Sequence, residues 1–391
     1  MSDAARLDEL AQAASEALRR KDPAAARELY GRLAAARPSD PDAWHGMALA
    51  CRGLADEAGE KAAFDRALAL DHSHLGALMM KGDFFARTGD GRAAHAFYKA
   101  VVARAAGQGG LSPQLRGEVQ RAERECQRYA KSYEDHLVDA VKEAGFDRAS
   151  SSPRFARSLE MLLGKQQIFL QTPKSFYFPE LPQRQFYERA EFPWLSDLEA
   201  RTAIIRQELA AVVGEERHWD PYVQSTSSRP HREYGRLLDN LDWSAFYLVN
   251  SGHEIAEAAR RCPQTLAALE GVPLSDAPGG MPSVLFSLLR PHVRIPPHTG
   301  HTNARLICHL PLIVPGKGAL RVGNETRAWT EGEALIFDDS IEHEAWNDSD
   351  EVRVVLLFDI WRPELTMEER GLVRAVLGAV NSYSGQPAAW D

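Results

Sequence analysis

The chain has 391 residues, of which 44% are hydrophobic and 26% are charged, and its formal net charge is −9. This length allows two or three folded domains, and this composition is that of a globular protein rather than a disordered one. The balance of 46 Lys and Arg against 55 Asp and Glu excludes a generally basic nucleic-acid binder.

The first hundred residues repeat with a period of 34 positions. Four series share this period: a small residue, a turn acid, a large aromatic and an apolar residue. Their members are Ala14, Ala48 and Gly82; Asp22, Asp56 and Asp90; Tyr30, Phe64 and Tyr98; and Leu33, Ala67 and Val101. Thirty-four residues suit two antiparallel helices with turns. Residues 1–106 are therefore predicted to form an all-α solenoid that resembles tetratricopeptide repeats, although a helical bundle with accidental spacing stays open.

The segment GQGGLSP, residues 107–113, breaks this pattern and is typical of a linker. The sequence after it is again helical, with strongly charged faces up to about residue 170. Such charges most often form a solvated helix face. We therefore predict that residues 107–170 contain a linker and helices that cap the repeats or bridge to the next domain.

Residues 171–391 differ in composition and predicted secondary structure. They begin with many prolines and aromatic residues, and a predicted helix at about 198–213 and short β-rich segments follow. Turn signals such as PGKG, GNET and TEGE separate these segments. The predicted strands are Val284–Leu289, Arg305–Leu312, Ala319–Val322, Thr326–Trp329, Ala334–Phe337 and Val352–Ile360. Strands of this length and spacing predict a β-sandwich or jelly roll, which can hold a ligand at its open mouth. A C-terminal helix within PELTMEERGLVRAVLGAVNSYSG is expected to pack on it.

Two histidines are candidates for a metal site in this region. His298 lies in the run PPHTGHTN, in a loop, and His343 lies in DDSIEHEAW, 45 residues later and between two strands. Neutral imidazole suits ferrous iron, and two histidines with one carboxylate leave open positions for a cosubstrate and oxygen. Here Gly300 stands where His-x-Asp/Glu would place the carboxylate. On spacing alone, the alternative of an ordinary surface or hydrogen-bonded histidine stays open.

Charged residues on the strands strengthen the prediction of a metal site and indicate an anion site beside it. Arg353 opens the apolar strand VRVVLLFDIW, and a buried guanidinium needs an anionic partner. That partner could be the distal carboxylate of 2-oxoglutarate, or a protein acid such as Asp359 or Glu342. Arg305 and His309 are four residues apart in ARLICHL, so a strand places both on one face.

These motifs resemble the aspartyl/asparaginyl β-hydroxylase family. The resemblance lies in FSLLRPHVRIPPHTGHTNARLICHLPLIVP, GNETRAWTEGEALIFDDSIEHEAWN and RVVLLFDIWRPEL, and covers roughly residues 165–370. It implies a double-stranded β-helix (jelly-roll) catalytic domain with flanking helices. It also implies an iron(II)- and 2-oxoglutarate-dependent dioxygenase, in which 2-oxoglutarate and O2 are converted to succinate and CO2 while a C–H bond is hydroxylated.

The resemblance also assigns roles to residues of this chain. Animal members of the family likewise have glycine at the carboxylate position, so His298 and His343 would be the two iron ligands. Ser287, His309 and Arg353 match the positions that hold 2-oxoglutarate. His298, His343 and Arg353 are therefore the predicted catalytic residues.

Other positions carry less certain roles. Arg305 matches a polar position that could bind a substrate carboxylate, and Asp338 or Asp339 could hydrogen-bond a metal-bound water; a strand-end cap is an equal alternative for this pair. The chain departs from the family at Ile307, where a second arginine is common, so that one expected contact to 2-oxoglutarate is absent. It also departs at His301, where proline is common. These departures bear on the fine geometry of the site more than on the type of reaction.

The leading hypothesis is hydroxylation of the β-carbon of an Asp or Asn residue in a peptide or protein, which could dock on the repeat domain. One alternative is a repeat-based adaptor whose β domain binds a ligand without turning it over, which Ile307 favours. A halogenase of the same fold is another, since the vacated ligand position could take chloride.

The remaining sequence features concern location. The four cysteines, Cys51, Cys126, Cys262 and Cys308, are widely separated, which is typical of a reduced compartment. The amino terminus lacks the apolar stretch of a signal peptide, and the apolar runs are far shorter than the ~20 residues of a membrane helix. We therefore expect a cytoplasmic protein without a membrane span or a nucleic-acid partner.

Overall fold

The computed structural model divides the chain into two compact units, Met1–Ala156 and Arg157–Asp391. The first unit extends past the predicted repeats and contains most of the region predicted to hold bridging helices. The structure describes residues 3–215, 218–225, 235–278 and 281–383.

The first unit begins with three helical hairpins that have the predicted 34-residue period. The turn acids of the sequence pattern, Asp22, Asp56 and Asp90, are the N-caps of the second helix of each hairpin, and each side chain accepts a backbone N–H of the first turn. The helices are α1 (Asp3–Arg19), α2 (Pro23–Ala36), α3 (Pro41–Gly53), α4 (Glu57–Leu70), α5 (Leu75–Thr88) and α6 (Gly91–Ala105).

The small and aromatic series meet inside the hairpins. Tyr30, Phe64 and Tyr98 are buried. A Cβ at Gly82 would lie 2.8 Å from the ring of Tyr98, so only glycine fits against that aromatic residue. The helical repeat prediction is confirmed at the level of these contacts.

Two further helices follow, α7 (Pro113–Glu143) and α8 (Pro153–Leu162). The start of α7 is capped by Ser112, with proline in the first turn, directly after the predicted linker. Ala122 of α7 is buried against the last hairpin, in a hydrophobic cluster with Tyr98 and Val101. This part of α7 therefore continues the packing of the repeats.

The second unit contains two antiparallel sheets. The larger has the strand order β1-β10-β7-β12-β5-β3-β2, with β4 paired to β3, and the smaller has the order β6-β11-β8-β9. The strands are β1 (Phe186–Tyr187), β2 (Asp220–Pro221), β3 (Trp243–Asn250), β4 (His253–Glu254), β5 (Val284–Leu289), β6 (Val293–His298), β7 (Arg305–Ile313), β8 (Gly318–Val322), β9 (Glu325–Ala328), β10 (Leu335–Phe337), β11 (His343–Asn347) and β12 (Arg353–Trp361).

Alternation along the central strands decides what each face of the larger sheet contacts. On β12, Leu356 and Phe358 join a cluster with the helical residues Leu198 and Leu209. Val355 joins the cluster that includes residues of the smaller sheet. Helices therefore cover one face of the larger sheet, and the smaller sheet covers the other.

The helices of the second unit are α9 (Leu195–Glu199), α10 (Thr202–Ala210), α11 (Ala256–Arg261), α12 (Pro263–Ala268) and α13 (Met367–Tyr383), with short 3-10 turns at Arg189–Glu191 and Gly235–Leu237. The helix predicted at about 198–213 is thus two shorter helices. The C-terminal helix is present as α13 and buries Val373 and Leu377; the last two residues of its predicted segment lie outside the described residues.

Candidate active site

The two predicted metal ligands are cross-strand neighbours in the smaller sheet. His298 is the last residue of β6, rather than part of a loop, and His343 is the first residue of β11. The two residues are register partners, and their ring centroids are 4.1 Å apart. Strand pairing therefore brings together two side chains that are 45 positions apart in the sequence.

Backbone carbonyls fix the orientation of both rings. Nδ1 of His298 lies 2.8 Å from the carbonyl oxygen of Pro296, and Nδ1 of His343 lies 3.0 Å from that of Ile341. Each Nδ1 therefore carries the proton and donates it to a carbonyl, which leaves Nε2 with a lone pair. This is the tautomer that a metal-ligating histidine requires.

The surroundings keep both imidazoles neutral. Burial, followed by the neighbouring His343, lowers the pKa of His298 to about 3. Burial also lowers the pKa of His343 to about 4. Near neutral pH both Nε2 atoms are therefore free of a proton and able to bind a cation.

Gly300 and Asp339 share one space beside this pair. A Cβ at Gly300 would lie 2.0 Å from Oδ2 of Asp339, which is too close for any side chain. The backbone N–H of Gly300 donates to the carbonyl oxygen of Asp339 at 2.7 Å. A carboxylate at position 300 would therefore have to displace the carboxylate of Asp339, which lies in the loop between β10 and β11.

Arg353 is a buried cation with little compensation. Arg353 is 2% exposed, and its Nη1 donates a hydrogen bond to the carbonyl oxygen of Ser287 at 3.2 Å. The guanidinium also lies over the ring of Trp329, 4.7 Å from its centroid. Burial lowers the pKa of Arg353 to about 9, yet the group remains cationic at neutral pH. Among the described residues, no carboxylate forms an ion pair with it.

Ser287 and His309 lie close to this cation. Ser287 accepts a hydrogen bond from Nε1 of Trp243 at 3.2 Å. His309 is buried with its Nδ1 unpaired within the described structure. Burial, then the charge of Arg353 and the neighbouring His343, hold the pKa of His309 well below its usual value, so the ring is neutral.

Arg305 is engaged by two acids. Its Nη2 donates to Oδ2 of Asp339 at 3.0 Å, and its Nη1 pairs with Oδ1 of Asp359. The second oxygen of Asp359 accepts the backbone N–H of Ser283 at 2.8 Å. The predicted substrate-binding arginine is therefore already paired at both terminal nitrogens.

Asp338 belongs to a structural network rather than to the space beside the histidines. Its oxygens accept hydrogen bonds from Ser340, Gln171 and Arg362 at distances of 2.6 to 3.0 Å. Of the two adjacent aspartates, Asp339 is the one that lines the cavity.

A cavity of about 490 Å³ is lined by every predicted site residue apart from Asp338. Its lining includes His298, His343, Ser287, His309, Arg353 and Arg305. Ile307 and His301 also line it, so both departures from the family pattern face the same space. A cavity of this size accommodates a small dicarboxylate and part of a second molecule.

The donor set fits iron and 2-oxoglutarate. The two neutral Nε2 atoms are nitrogen ligands suited to ferrous iron, and the buried, unpaired guanidinium of Arg353 suits a carboxylate. In the part of the chain that the structure describes, no group of three or more His, Cys, Asp and Glu has metal-binding geometry. The protein would therefore contribute two ligands, and the remaining positions would be open to a cosubstrate.

The sequence analysis offered Asp359 as a possible ion-pair partner of Arg353, and this alternative is wrong. It also did not predict the contacts of the aromatic residues. Asp359 had been one candidate partner of Arg353, but it pairs with Arg305. Trp329 stacks on Arg353, and Trp243 stacks on Tyr222 with ring centroids 4.0 Å apart. Alternation along β12 places Asp359 on the cavity face, which is a signal that the sequence did contain.

Comparisons with known proteins agree with the motifs. The family model described as aspartyl/asparaginyl beta-hydroxylase matches residues 199–363. Over 142 residues the chain is 42% identical to the aspartyl/asparaginyl beta-hydroxylase of Mus musculus, covering 36% of this chain and 19% of that protein. Over 223 residues it is 33% identical to the ornithine lipid ester-linked acyl 2-hydroxylase of Rhizobium tropici, covering 56% of this chain and 73% of that protein.

The chain is also similar to a third curated protein and, weakly, to one solved structure. The chain is 32% identical over 205 residues to aspartate beta-hydroxylase domain-containing protein 2 of Xenopus tropicalis, covering 51% of this chain and 53% of that protein. The crystal structure of PcrH in complex with the chaperone-binding region of PopD covers 34% of this chain and 96% of its own, with 14% identity and a TM-score of 0.31. At that TM-score the likeness carries no conclusion about the fold.

The family model and these three relatives are all described as hydroxylases. It belongs to the aspartyl/asparaginyl β-hydroxylase family. The chain spans about a fifth of the length of its mouse relative and about half that of its Xenopus relative. Within the described residues, no helix has both the length and the apolarity to cross a bilayer.

Proposed function

We propose that this protein is an iron(II)- and 2-oxoglutarate-dependent hydroxylase, with its two facing sheets forming a double-stranded β-helix. The observation that carries the proposal is Arg353: a guanidinium that is 2% exposed, has no carboxylate partner in the described structure and lines the same cavity as two neutral histidines. An unpaired buried charge is costly, so such a group is retained where a ligand completes it.

His298 and His343 would hold the iron through their Nε2 atoms. Bound iron would supply the means to activate O2 with electrons from 2-oxoglutarate, so that one oxygen atom enters the substrate C–H bond and the other enters succinate. The carbonyls of Pro296 and Ile341 hold the two rings in the required tautomer. The chain thus positions two imidazoles before any ligand arrives.

Arg353, His309 and Ser287 would bind 2-oxoglutarate. The guanidinium of Arg353 would pair with its distal carboxylate, while it also lies over the ring of Trp329. His309 and Ser287 line the cavity beside Arg353 and offer polar contacts. The keto-acid would then lie in the cavity that Arg353 shares with the two histidines.

Asp339 would act from outside the ligand set. Its Oδ1 is buried without a hydrogen-bond donor in the described structure, while Oδ2 is held by Arg305. An acceptor in this position can orient a water on the metal. For Asp338 we propose a structural role only, because its oxygens are engaged by Ser340, Gln171 and Arg362.

The substrate is proposed from the family. The family resemblance favours the β-carbon of an Asp or Asn residue in a peptide or protein, with the repeats as a docking surface in the cytoplasm. Incubation of the full chain with candidate peptides, followed by a search for a 16-Da mass increase, tests this. The same search after removal of the repeats tests docking.

An anaerobic titration tests the cofactors. Addition of iron(II) and then 2-oxoglutarate to the full chain is expected to produce the weak visible charge-transfer band of a chelated keto-acid, and admission of O2 is expected to produce succinate. Absence of both the band and succinate would favour the adaptor hypothesis instead. The chloride dependence of the product mass separates hydroxylation from halogenation.

A further inference from the structure

Trp243 lines the cavity beside residues proposed to bind iron and 2-oxoglutarate. It is the first residue of β3, is 6% exposed and shares the cavity wall with Ser287 and His298. Its register partner on β5 is Leu289, and Ser287 lies two positions before Leu289, on the same face of the larger sheet. Diagonal neighbours across a strand pair are within reach of an aromatic side chain. The strand register therefore brings the indole to the side chain of Ser287.

The hydrogen bond between Trp243 and Ser287 has only one possible direction. An indole nitrogen is a donor and not an acceptor, so Nε1 of Trp243 donates to Oγ of Ser287 at 3.2 Å. A serine hydroxyl also has one hydrogen of its own, and no group among the described residues accepts it. Ser287 is 2% exposed, so this hydrogen is buried as well. The hydroxyl is therefore an engaged acceptor and a donor that is still available to a ligand.

This available donor belongs to a residue that also contacts the buried cation. The backbone carbonyl oxygen of Ser287 accepts a hydrogen bond from Nη1 of Arg353 at 3.2 Å. Nε of Arg353 is buried without a partner in the described structure. A carboxylate has about four acceptor positions and no donor. A carboxylate that pairs with Arg353 can therefore also accept the hydroxyl hydrogen that Trp243 leaves available.

Further contacts hold the indole of Trp243 in place. The ring of Tyr222 stacks on it, with the centroids 4.0 Å and the planes 13° apart. The backbone N–H of Tyr222 donates to the carbonyl oxygen of Trp243 at 2.9 Å. The ring of His298, on the smaller sheet, lies 6.2 Å from the indole between centroids. The direction of the indole N–H is thus set by packing before a ligand binds.

From these contacts we propose that Trp243 is a positioning residue for 2-oxoglutarate. Its indole N–H engages the Ser287 hydroxyl as an acceptor, so that this hydroxyl donates its own hydrogen to the carboxylate that Arg353 binds. The inference rests on the proposed function and goes beyond it, because it assigns a direction to the Ser287 contact and a residue that sets it. Trp243 acts through Ser287, so its loss should weaken keto-acid binding only while that hydroxyl is present.

A double-mutant cycle tests this role. In isothermal titration of the full chain with 2-oxoglutarate and without iron, Trp243→Phe and Ser287→Ala are each expected to bind about three- to tenfold more weakly, the effect of one hydrogen bond. The double variant is expected to bind no more than about twofold more weakly than Ser287→Ala, because the indole then has no hydroxyl to orient. Unchanged affinity of Trp243→Phe, or losses that multiply in the double variant, overturns the inference.

A second replacement covers the case in which Trp243→Phe does not fold. Benzothienylalanine at position 243 keeps the shape of the indole and has sulfur in place of the N–H group. Thermal unfolding shows which of the two replacements is folded. The same three- to tenfold weakening is expected for benzothienylalanine as for phenylalanine, and parental affinity for 2-oxoglutarate in this shape-preserving variant also overturns the inference.

Trp219→Phe is the matched control. Trp219 is also 6% exposed, and its Nε1 donates to the carbonyl oxygen of Val212 at 3.2 Å. It belongs to the hydrophobic cluster on the helix-covered face of the larger sheet, away from the cavity face. Its replacement is expected to leave 2-oxoglutarate affinity unchanged. Equal weakening by Trp219→Phe and Trp243→Phe would show a general loss of packing and overturn the role of Trp243.

Iron binding gives a readout that a merely structural role would move. Trp243→Phe keeps an aromatic ring beside His298, so its iron(II) affinity is expected to equal that of the parent. General loosening of the site would instead weaken iron and 2-oxoglutarate together, and that result overturns the inference.

Failure of this inference is distinguishable from failure of the proposed function. Binding of 2-oxoglutarate and the charge-transfer band of the parent chain report on the function, whatever the variants do. Their absence in the parent refutes the function. Their presence, together with parental affinity in a folded Trp243→Phe, refutes only the role of Trp243.

Discussion

The first unit, which contains the helical repeats (the repeat unit), and the second unit, which contains the two sheets, differ in how their buried charged groups are paired. In the repeat unit Asp83 accepts hydrogen bonds from Tyr98, Arg121 and Arg52, and Glu60 pairs with both Arg52 and Arg87. In the described part of the second unit, by contrast, Arg353 has no carboxylate partner and Oδ1 of Asp339 is buried without a hydrogen-bond donor. Fully paired networks hold a fold in one arrangement, whereas unpaired buried groups that line a cavity, as Arg353 and Asp339 do, are groups that a ligand could pair with.

Replacement of either proposed iron ligand gives the largest expected effect. His298→Ala or His343→Ala leaves one imidazole and is expected to lower iron affinity and succinate formation by more than about 100-fold, because second ligands contribute several kcal/mol. Iron content after gel filtration and the charge-transfer band measure this. His292→Ala, at an exposed histidine that pairs with Asp350, is the control. Retention of iron by either variant would contradict the site.

Replacement of Arg353, the buried guanidinium without a carboxylate partner in the described structure, is expected to have the second largest effect. Arg353→Gln is expected to weaken 2-oxoglutarate binding by about 30- to 100-fold, since a charged hydrogen bond to a carboxylate contributes about 2–3 kcal/mol. Isothermal titration without iron measures the effect directly. Arg321→Gln is the matched control, because Arg321 is already paired with Glu342 and Glu344. Equal weakening in both variants would remove the special role of Arg353.

The space shared by Gly300 and Asp339 allows a reciprocal exchange. Gly300→Asp alone is expected to destabilise the fold by about 2–4 kcal/mol, because its Cβ would overlap Asp339. The double variant Gly300→Asp with Asp339→Gly is expected to recover at least half of that stability. Urea unfolding of the single and double variants measures the coupling. Additive losses would show that the two positions do not share one space.

Removal of a charge from the fully paired network of the repeat unit is expected to change the free energy of unfolding by a smaller amount. Burial alone would raise the pKa of Asp83, but hydrogen bonds from Arg121 and Tyr98 outweigh it and hold the pKa below its usual value. Asp83→Asn is expected to cost about 1–3 kcal/mol at pH 7 and to leave 2-oxoglutarate binding unchanged.

The pH dependence of that loss has a defined sign. Because the folded pKa of Asp83 is lowered, its stabilisation is present above the unfolded value near 3.8 and is lost as the pH falls through the lower, folded value. The unfolding curves of the variant and the parent should therefore converge in acid. Glu16→Gln, at an exposed pair, is the control and should change little at any pH.

Local patterns allowed much of the fold to be predicted. The series of Asp22, Asp56 and Asp90 marked helix starts because an N-cap acts within three residues of itself. The strand Val284–Leu289 was predicted with its observed bounds because both of its faces are buried and apolar. The helix at about 198–213 was predicted as one because the break after Glu199 carries neither glycine nor proline.

Strands with exposed or polar faces were harder to predict. β6 was missed because Pro296 and Pro297 argue against a strand, and β6 tolerates them as an edge strand of the smaller sheet. β11 was missed because its outer face carries Glu344, which pairs with Arg321 on the adjacent strand β8. Both histidines lie on these two strands, so the sequence predicted the two candidate ligands but not their pairing across strands.

Long-range pairing set the other limit. Arg353 and Asp359 share a face of β12 but are roughly 20 Å apart along it, at about 3.3 Å per residue. The partner of Asp359 is Arg305 on β7, 54 positions away. Only the sheet order β7-β12 reveals that pairing, and with it the engagement of the arginine that was expected to bind substrate.

The register pairing of His298 and His343 has a consequence for folding. Because β6 and β11 are already hydrogen-bonded, an ion held by these two rings would bridge chain segments that the backbone has brought together. Binding would then close no new loop and would fold no segment, in contrast to small metal-dependent domains that collapse only around their ion. Chelator treatment should therefore leave the circular dichroism spectrum intact and shift the melting temperature only as far as mass action requires.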